Sequence, residues 1–358
     1  MRWLKSLAIK RKTPDIPTVD YYFLGAMETH VSPDENCGAE RPMARLGPHT
    51  FAHAGTLVII RYATPDELVK IEAGSWTRVF YVIDDMLPIA AQCDELPETY
   101  RAKLADFARD VLPRILTHQP TIVAPSQAIL DLFPERPREL LDPCILSVAD
   151  EFSHFPAGSS SPAAPLRLAF LGTRSHARGI EFLVSVLEGL AAKRANVTTT
   201  LFFGKHLPRA LSSLVGIDNR PALDWPQFRQ FLARERYHVL LAPLPLSPFN
   251  AGRSITKIFD AAAVGACGLF SDRAPFRGAV TSGENGLLLA DDPARWVAEI
   301  LRLSENPSDA LRLAKGGAAL ARQLGDPQRL RNFWIERMGL KSSKRFVTPF
   351  GDTTKSAK

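Results

Sequence analysis

Cysteine is scarce, no apolar run is long, and the body of the chain carries no surplus of positive charge; each absence removes a class of protein. The four cysteines among 358 residues, Cys37, Cys93, Cys144 and Cys267, lie far apart and form none of the short paired spacings of zinc or redox motifs. A disulfide scaffold and a thiolate metal site are thereby set aside, and a reduced, cytoplasmic compartment is expected. No stretch approaches the roughly 20 apolar residues that span a bilayer. The opening MRWLKSLAIKRK is interrupted at Lys5 and Ser6, unlike the core of a signal peptide. The formal net charge is +6, but residues 1–12 contribute +5 and residues 339–358 contribute +4, which leaves −3 on everything between. Basic charge therefore sits on the two ends, and nucleic acid is not an expected partner.

What is present is the composition of a globular protein, with 46% hydrophobic residues and 9% aromatics. The length suits two domains of about 150 residues each. The Ser-, Pro- and Ala-rich stretch SHFPAGSSSPAAP, residues 153–165, reads as the linker between them. The expected organisation is a basic segment at 1–12, a first domain at 13–152, a second at 166–325, a closing helix at 326–338 and a basic, disordered tail at 339–358. Residues 1–12 read in two ways: a frayed terminus, or a short amphipathic helix laying Trp3, Leu4, Leu7 and Ala8 on an anionic membrane surface.

Before the linker, β-branched runs at Thr56 to Ile60, Val79 to Ile83 and Thr121 to Ala124 alternate with helical patterns at Pro65 to Ala73 and Thr99 to Leu116. After it, strands at Leu166 to Leu171, Thr199 to Phe203 and Val239 to Ala242 alternate with helices at Gly179 to Arg194 and Trp225 to Arg236. Three more helical patterns start on Pro293, Pro307 and Pro327, and proline suits a first helical turn. This alternation predicts an α/β protein built on two parallel sheets.

Two motifs carry chemistry. SITKIFDAAAVGACGLFSD, Ser254 to Asp272, predicts a helix with hydroxyl caps from Ser254 and Thr256, an end at Gly265 and a buried strand beyond. The N–H groups of Ser254, Ile255 and Thr256 and the positive end of the helix dipole suit a pyrophosphate, and Lys257 adds its charge. Asp260, three residues after Lys257 and so on the same face, is placed to accept hydrogen bonds from a ribose diol. The second motif, LGTRSHARG from Leu171 to Gly179, leaves a strand end, where open α/β sheets bind ligands. Gly172 permits close backbone approach, and Thr173, Arg174, His176 and Arg178 follow on the same loop. Fixed cations there would stabilise the charge that gathers on a departing diphosphate.

In order and spacing these motifs resemble the GT-B fold glycosyltransferases, in particular the large retaining family that uses nucleotide sugars to build bacterial surface polysaccharides. The likeness covers residues 165–325. Arg178-Gly179 matches the end of the family's Gly-rich loop, and Phe202-Phe203-Gly204 with Lys205 behind it matches a strand ending in glycine. LLAPLPLSPFN, residues 240–250, matches a Pro-containing loop, and Glu284 to Leu288 matches the segment after the nucleotide-binding helix. The resemblance implies two Rossmann-like parallel-sheet domains facing a cleft, the second holding a UDP- or GDP-sugar and the first a glycan or lipid-linked acceptor. It implies that Arg178, Lys205 and Lys257 neutralise the diphosphate, that Asp260 binds the ribose, that configuration is retained and that no metal is needed.

The family carries two glutamates eight positions apart, which fall here on Gly252 and Asp260; Asn250 is the candidate substitute for the missing first acid. On the acceptor side the candidates are Asp84 and Asp85, at a strand end, and His30, in the irregular stretch from Gly25 to Gly47. The acidic pair serves either an acceptor hydroxyl or a cap on the segment that follows. Alternatives on the same fold are a nucleotide-sugar epimerase or hydrolase, and a transferase-like binding subunit without activity.

Overall fold

The computed structural model describes residues 16–155, 164–172 and 177–340, with side chains from residue 179 in the last stretch. The basic segment at 1–12, most of the linker, Thr173, Arg174 and His176, the side chain of Arg178 and the tail from residue 341 lie outside the described residues.

Six strands precede the linker: β1 (Ala44–Arg45), β2 (Thr50–His53), β3 (Thr56–Ile60), β4 (Arg78–Val82), β5 (Thr121–Ala124) and β6 (Arg138–Leu140). They form one sheet in that order, parallel from β3 to β6 but antiparallel between β1, β2 and β3. The first sheet is thus mixed rather than wholly parallel. The reason is local: Ala54 and Gly55, with φ of 46° and 75°, make a two-residue connection, which joins only antiparallel neighbours. Successive strand residues point to opposite faces. Val58, Ile60, Phe80 and Val82 accordingly enter one apolar cluster, and Leu57, Ile59, Val79 and Tyr81 another. Helix α1 (Pro65–Ala73) starts on a reciprocal cap between Thr64 and Glu67. Helix α2 (Glu98–Asp110) stops before Val111, so the single helix expected from Thr99 to Leu116 is two. Pro113, in the first turn of the second piece, lacks the N–H that would continue the ladder.

The second sheet contains β7 (Leu166–Ala169), β8 (Val197–Leu201), β9 (Ile217–Asn219), β10 (Val239–Ala242), β11 (Cys267–Ser271) and β12 (Leu287–Leu289). All pairings are parallel, in the order β12-β11-β10-β7-β8-β9. The direction of winding reverses between β7 and β10, which opens a crevice at their carboxyl ends. The longer helices here are α3 (Ala177–Ala192), α4 (Trp225–Arg234), α5 (Thr256–Ala263), α6 (Pro293–Glu305), α7 (Pro307–Leu324) and α8 (Pro327–Met338). Helix α5 buries every residue from Ile258 to Ala263, and Gly265, at φ 66°, turns the chain into β11.

Two segments tie the sheets together. The opening stretch winds through a π-helical turn, Asp20–Leu24, and buries Tyr22 and Phe23 almost completely. Helix α8 crosses back to the first sheet, where the fully buried Trp334 sets its ring centroid 5.2 Å from Phe23 and 5.9 Å from Phe80. Its Nε1 donates to the Tyr22 carbonyl at 2.7 Å. One apolar cluster therefore runs from the first sheet through the opening segment to α5, α7 and α8.

Candidate active site

A cavity of ≈ 200 Å³ lies at the carboxyl edge of the second sheet, between the two units. Phe170 and Gly172 line it beyond β7, Leu241 to Leu244 at the end of β10 and just after it, and Ser254, Thr256 and Lys257 at the start of α5. From across the cleft come Pro17, Tyr21, Asp84 and Asp85. The winding reversal puts β7 and β10 side by side, so their loops and the α5 terminus share one space.

The start of α5 differs from the expected hydroxyl cap. Ile255 is the N-cap and makes no side-chain cap bond, while Ser254 Oγ donates to Thr256 Oγ1 at 3.4 Å. The first-turn N–H groups thus have no side-chain cap, and the positive helix end faces the cavity. Lys257 Nζ donates to the Leu171 carbonyl at the β7 end and to Asp260 Oδ2 at 2.7 Å. This places a cation beside Gly172, at the start of the second sequence motif. Asp260 is 4% exposed, and its Oδ1 accepts from Tyr21 Oη at 3.4 Å. Burial and the adjacent Asp260 charge raise the Tyr21 phenol well above its ordinary range, so it stays a donor.

The carboxylates of Asp84 and Asp85 pair with side chains from other segments. Thr18 Oγ1 donates to Asp84 Oδ2 at 2.8 Å, and Arg61 Nη1 pairs with Asp84 Oδ1. Asp85 accepts from Arg61 Nη2 at 2.8 Å and from Arg253 Nη1, across the cleft, at 2.8 Å. Burial, helped by the charge of Asp85, raises the Asp84 carboxyl above its ordinary range against the pull of Arg61. Arg61 holds a left-handed backbone at φ 60°, secured by Tyr81 Oη donating to its carbonyl at 2.9 Å. A non-glycine residue kept there costs about 1 kcal/mol or more, and such residues concentrate at functional sites.

Other predicted residues stand elsewhere. Lys205 is exposed in the short Gly204–His206 turn and does not line the cavity. Asn250 braces its own loop: Nδ2 donates to the Pro245 carbonyl at 2.8 Å and Oδ1 accepts from Arg253 Nε at 3.4 Å. It too stands outside the cavity lining. His30 is 8% exposed, with its ring against Arg331 of α8 at 3.2 Å; burial and that guanidinium lower its pKa. It is a packing contact between the opening segment and α8 rather than part of the cleft wall. A larger groove of ≈ 400 Å³ runs between α4 and α5 behind Tyr21. Its floor is apolar at Leu232 and Phe259, and its lining cation, Arg229, is exposed and paired with Asp20 at 2.9 Å, so it suits an anion poorly.

No family model and no curated protein matches this sequence. Solved structures do. Sucrose-phosphate synthase (tll1590) from Thermosynechococcus elongatus is similar at a TM-score of 0.52 and 15% identity, over 76% of this chain and 69% of that one. Anabaena Alr3699/HepE in complex with UDP-glucose is similar at 0.50 and 16%, over 79% and 78%. The pneumococcal O-GlcNAc transferase GtfA, in complex with UDP and GlcNAc, is similar at 0.50 and 12%, over 82% of this chain and 62% of that one. These are GT-B glycosyltransferases. The chain has the GT-B fold. In GT-B terms the two six-stranded, parallel-dominated sheets face each other across the cavity, as the resemblance implied.

Sequence reading missed Thr18, Tyr21, Arg61 and Arg253, whose side chains bond the carboxylates at the cavity. Arg61 and Arg253 are single arginines among the 44 basic residues, and no spacing links them to an acid 24 or 168 positions away. The one available signal was adjacency, since Arg61 ends the β3 run and Arg253 precedes the α5 motif.

Proposed function

We propose that this chain transfers a glycosyl unit from a nucleoside-diphosphate sugar, held by the second domain (166–325), to an acceptor held by the first (13–152). The observation that carries this reading is the convergence of the uncapped α5 terminus, Lys257 and Gly172 on one cavity at the winding reversal. In this reading the diphosphate lies on the Ser254, Ile255 and Thr256 N–H groups, with Lys257 and Arg178 countering its charge. Asp260 accepts from the ribose, taking over the position that Tyr21 Oη holds on Oδ1. No metal is invoked, because amide dipoles and fixed cations meet the leaving group's charge. Retention follows from the resemblance, with the departing phosphate oxygen taking the acceptor proton. UDP- or GDP-sugars as donors, a glycan or lipid-linked acceptor, a cytoplasmic setting and a role in surface polysaccharide synthesis complete the proposal. UDP-bound GtfA and UDP-glucose-bound HepE support the donor class through shared fold.

A thermal-shift series with UDP and GDP tests it. A ligand at 100 times its dissociation constant adds about 2.7 kcal/mol of stability. Stabilisation by one of the two that is lost in Lys257→Ala is the expected outcome; no response to either would sink the reading.

A further inference from the structure

His154 stands at the start of the linker, and its ring faces that of His238 at the amino edge of the second sheet, with 5.6 Å between centroids. The hydrogen bonds of both rings fit only the uncharged imidazole. His238 Nδ1 accepts from the Arg167 N–H at 2.8 Å, so it carries no proton, and Nε2 donates to the His154 carbonyl at 2.9 Å. His154 Nε2 donates to the carbonyls of Tyr237 at 2.9 Å and Gly265 at 3.2 Å. Its Nδ1 is buried with no partner, so a proton added there would find no acceptor. Phe155 packs on both rings, its centroid 4.5 Å from His154 and 5.0 Å from His238. The charged neighbours are Arg236 beside His154 and Arg167 beside His238, the latter paired with Glu235 at 3.2 Å. On the linker side Asp150 pairs with Arg322 at 2.7 Å, and Glu151 is exposed. Burial lowers both pKa values; Arg167 adds to it at His238, and the His238 ring and Arg236 add to it at His154, against the carbonyls that accept from the two rings.

We propose that His154 and His238 form a pH-sensitive clasp, which pins the start of the linker to the second domain at neutral pH and releases it on acidification. The bonds of the pair join four separate pieces: the linker at residue 154, the strand β7 at Arg167, the entry to β10 at Tyr237, and Gly265, where α5 turns into β11. Charging either ring breaks this junction. A second proton on His238 must sit on Nδ1 and expel the Arg167 N–H, and one on His154 must sit on the unpartnered Nδ1. Two charged rings at this separation would also repel each other. Released rings regain the ordinary pKa of about 6.5, so the released state binds the protons and the clasped state does not. The clasp is therefore complete above that value and weakens as pH falls below it. Between about pH 7.5 and about pH 5, the ratio of released to clasped molecules can rise by up to about 30-fold for each ring.

Hydrogen exchange of the full chain from about pH 7.5 to about pH 5, corrected for the intrinsic rate at each pH, tests this. The reporters are the amides of Phe155 and Arg167, bonded to the Phe152 carbonyl at 3.1 Å and to His238 Nδ1 at 2.8 Å. Both are expected to lose protection at least about tenfold, while amides of β4 and β5 change less than about twofold. The comparison is a double variant, His154→Gln with His238→Asn. The glutamine amide nitrogen can donate where Nε2 does, the asparagine oxygen can accept where Nδ1 does, and neither titrates. Its loss at the two reporters is expected to stay below about threefold. Equal losses in wild type and variant overturn the proposal. So does a wild type that keeps its protection, or one that loses it equally in β4 and β5, which is general acid unfolding. Should the double variant not fold, the ring nitrogen shifts of wild type decide by NMR. Both rings are expected to stay neutral below about pH 6 and to charge in step with the loss of protection. Titration at the ordinary value with protection unchanged overturns the proposal.

Discussion

Single side chains here act through charge placed where water is scarce. Lys257→Ala removes the cation beside Gly172 and is expected to weaken UDP or GDP binding by about 2 kcal/mol, roughly thirtyfold, by calorimetric titration. Glu67 shows the same principle in a structural role. Burial alone would raise its carboxyl, but the His49 ring and the N–H groups of Thr64 and His49 outweigh that and hold it below the ordinary range. A depressed folded pKa gives stability that is complete above the unfolded value of about 4.3 and fades as pH falls through the folded value. Glu67→Gln should therefore lose about 1–3 kcal/mol at pH 7 and progressively less below pH ~4, measured by urea denaturation. Lys257 and Asp260 were legible in the sequence because a helix start with a basic residue and an acid three positions on is a local pattern. Asp85 was legible only as an acid at a strand end, since its partners are remote in sequence.

At the scale of elements, α5 is the piece whose position matters most, because its first turn faces the cavity and its remainder is buried. Its end depends on Gly265 at φ 66°, where an added Cβ would also meet His154 Cε1 at 3.1 Å. Gly265→Ala is expected to cost about 1–2 kcal/mol in thermal unfolding and to weaken diphosphate binding along with stability. Helices α1, α7 and α8 run as their sequence periodicity and first-turn prolines predicted. The start of α5 did not, because hydroxyl residues near a helix start cap it only when their backbone leaves the helix at the right position. Nor did the opening segment read as helix, since DYYFL in a π-helical turn has no 3.6-residue period.

The whole molecule is held as one body by contacts that cross between its sheets. Trp334→Ala removes the ring on which α8 meets Phe23 and Phe80 and is expected to cost about 3–5 kcal/mol, by chemical denaturation. Placing an acid at residue 252, where the resembled family has a glutamate, should fail for a steric reason. Gly252→Glu would press on Met86 and Ile129, so the expected result is a wider solution scattering profile and a lower Tm, without gain of activity. A compact profile with improved turnover would show that the closed packing at Gly252 is dispensable.

The sequence by itself determined the α/β class, most strand and helix positions and the two motifs around Gly172 and Lys257, because hydrophobic period, proline placement and glycine punctuation act over a few residues. Tertiary structure alone decided that the first sheet is mixed, that α8 returns to it, that Lys205, Asn250 and His30 stand away from the cavity, and that Arg61 and Arg253 clasp Asp85. Ion pairs between residues 24 and 168 positions apart leave no periodic trace in the chain, since they form only when two sheets bring their edges together.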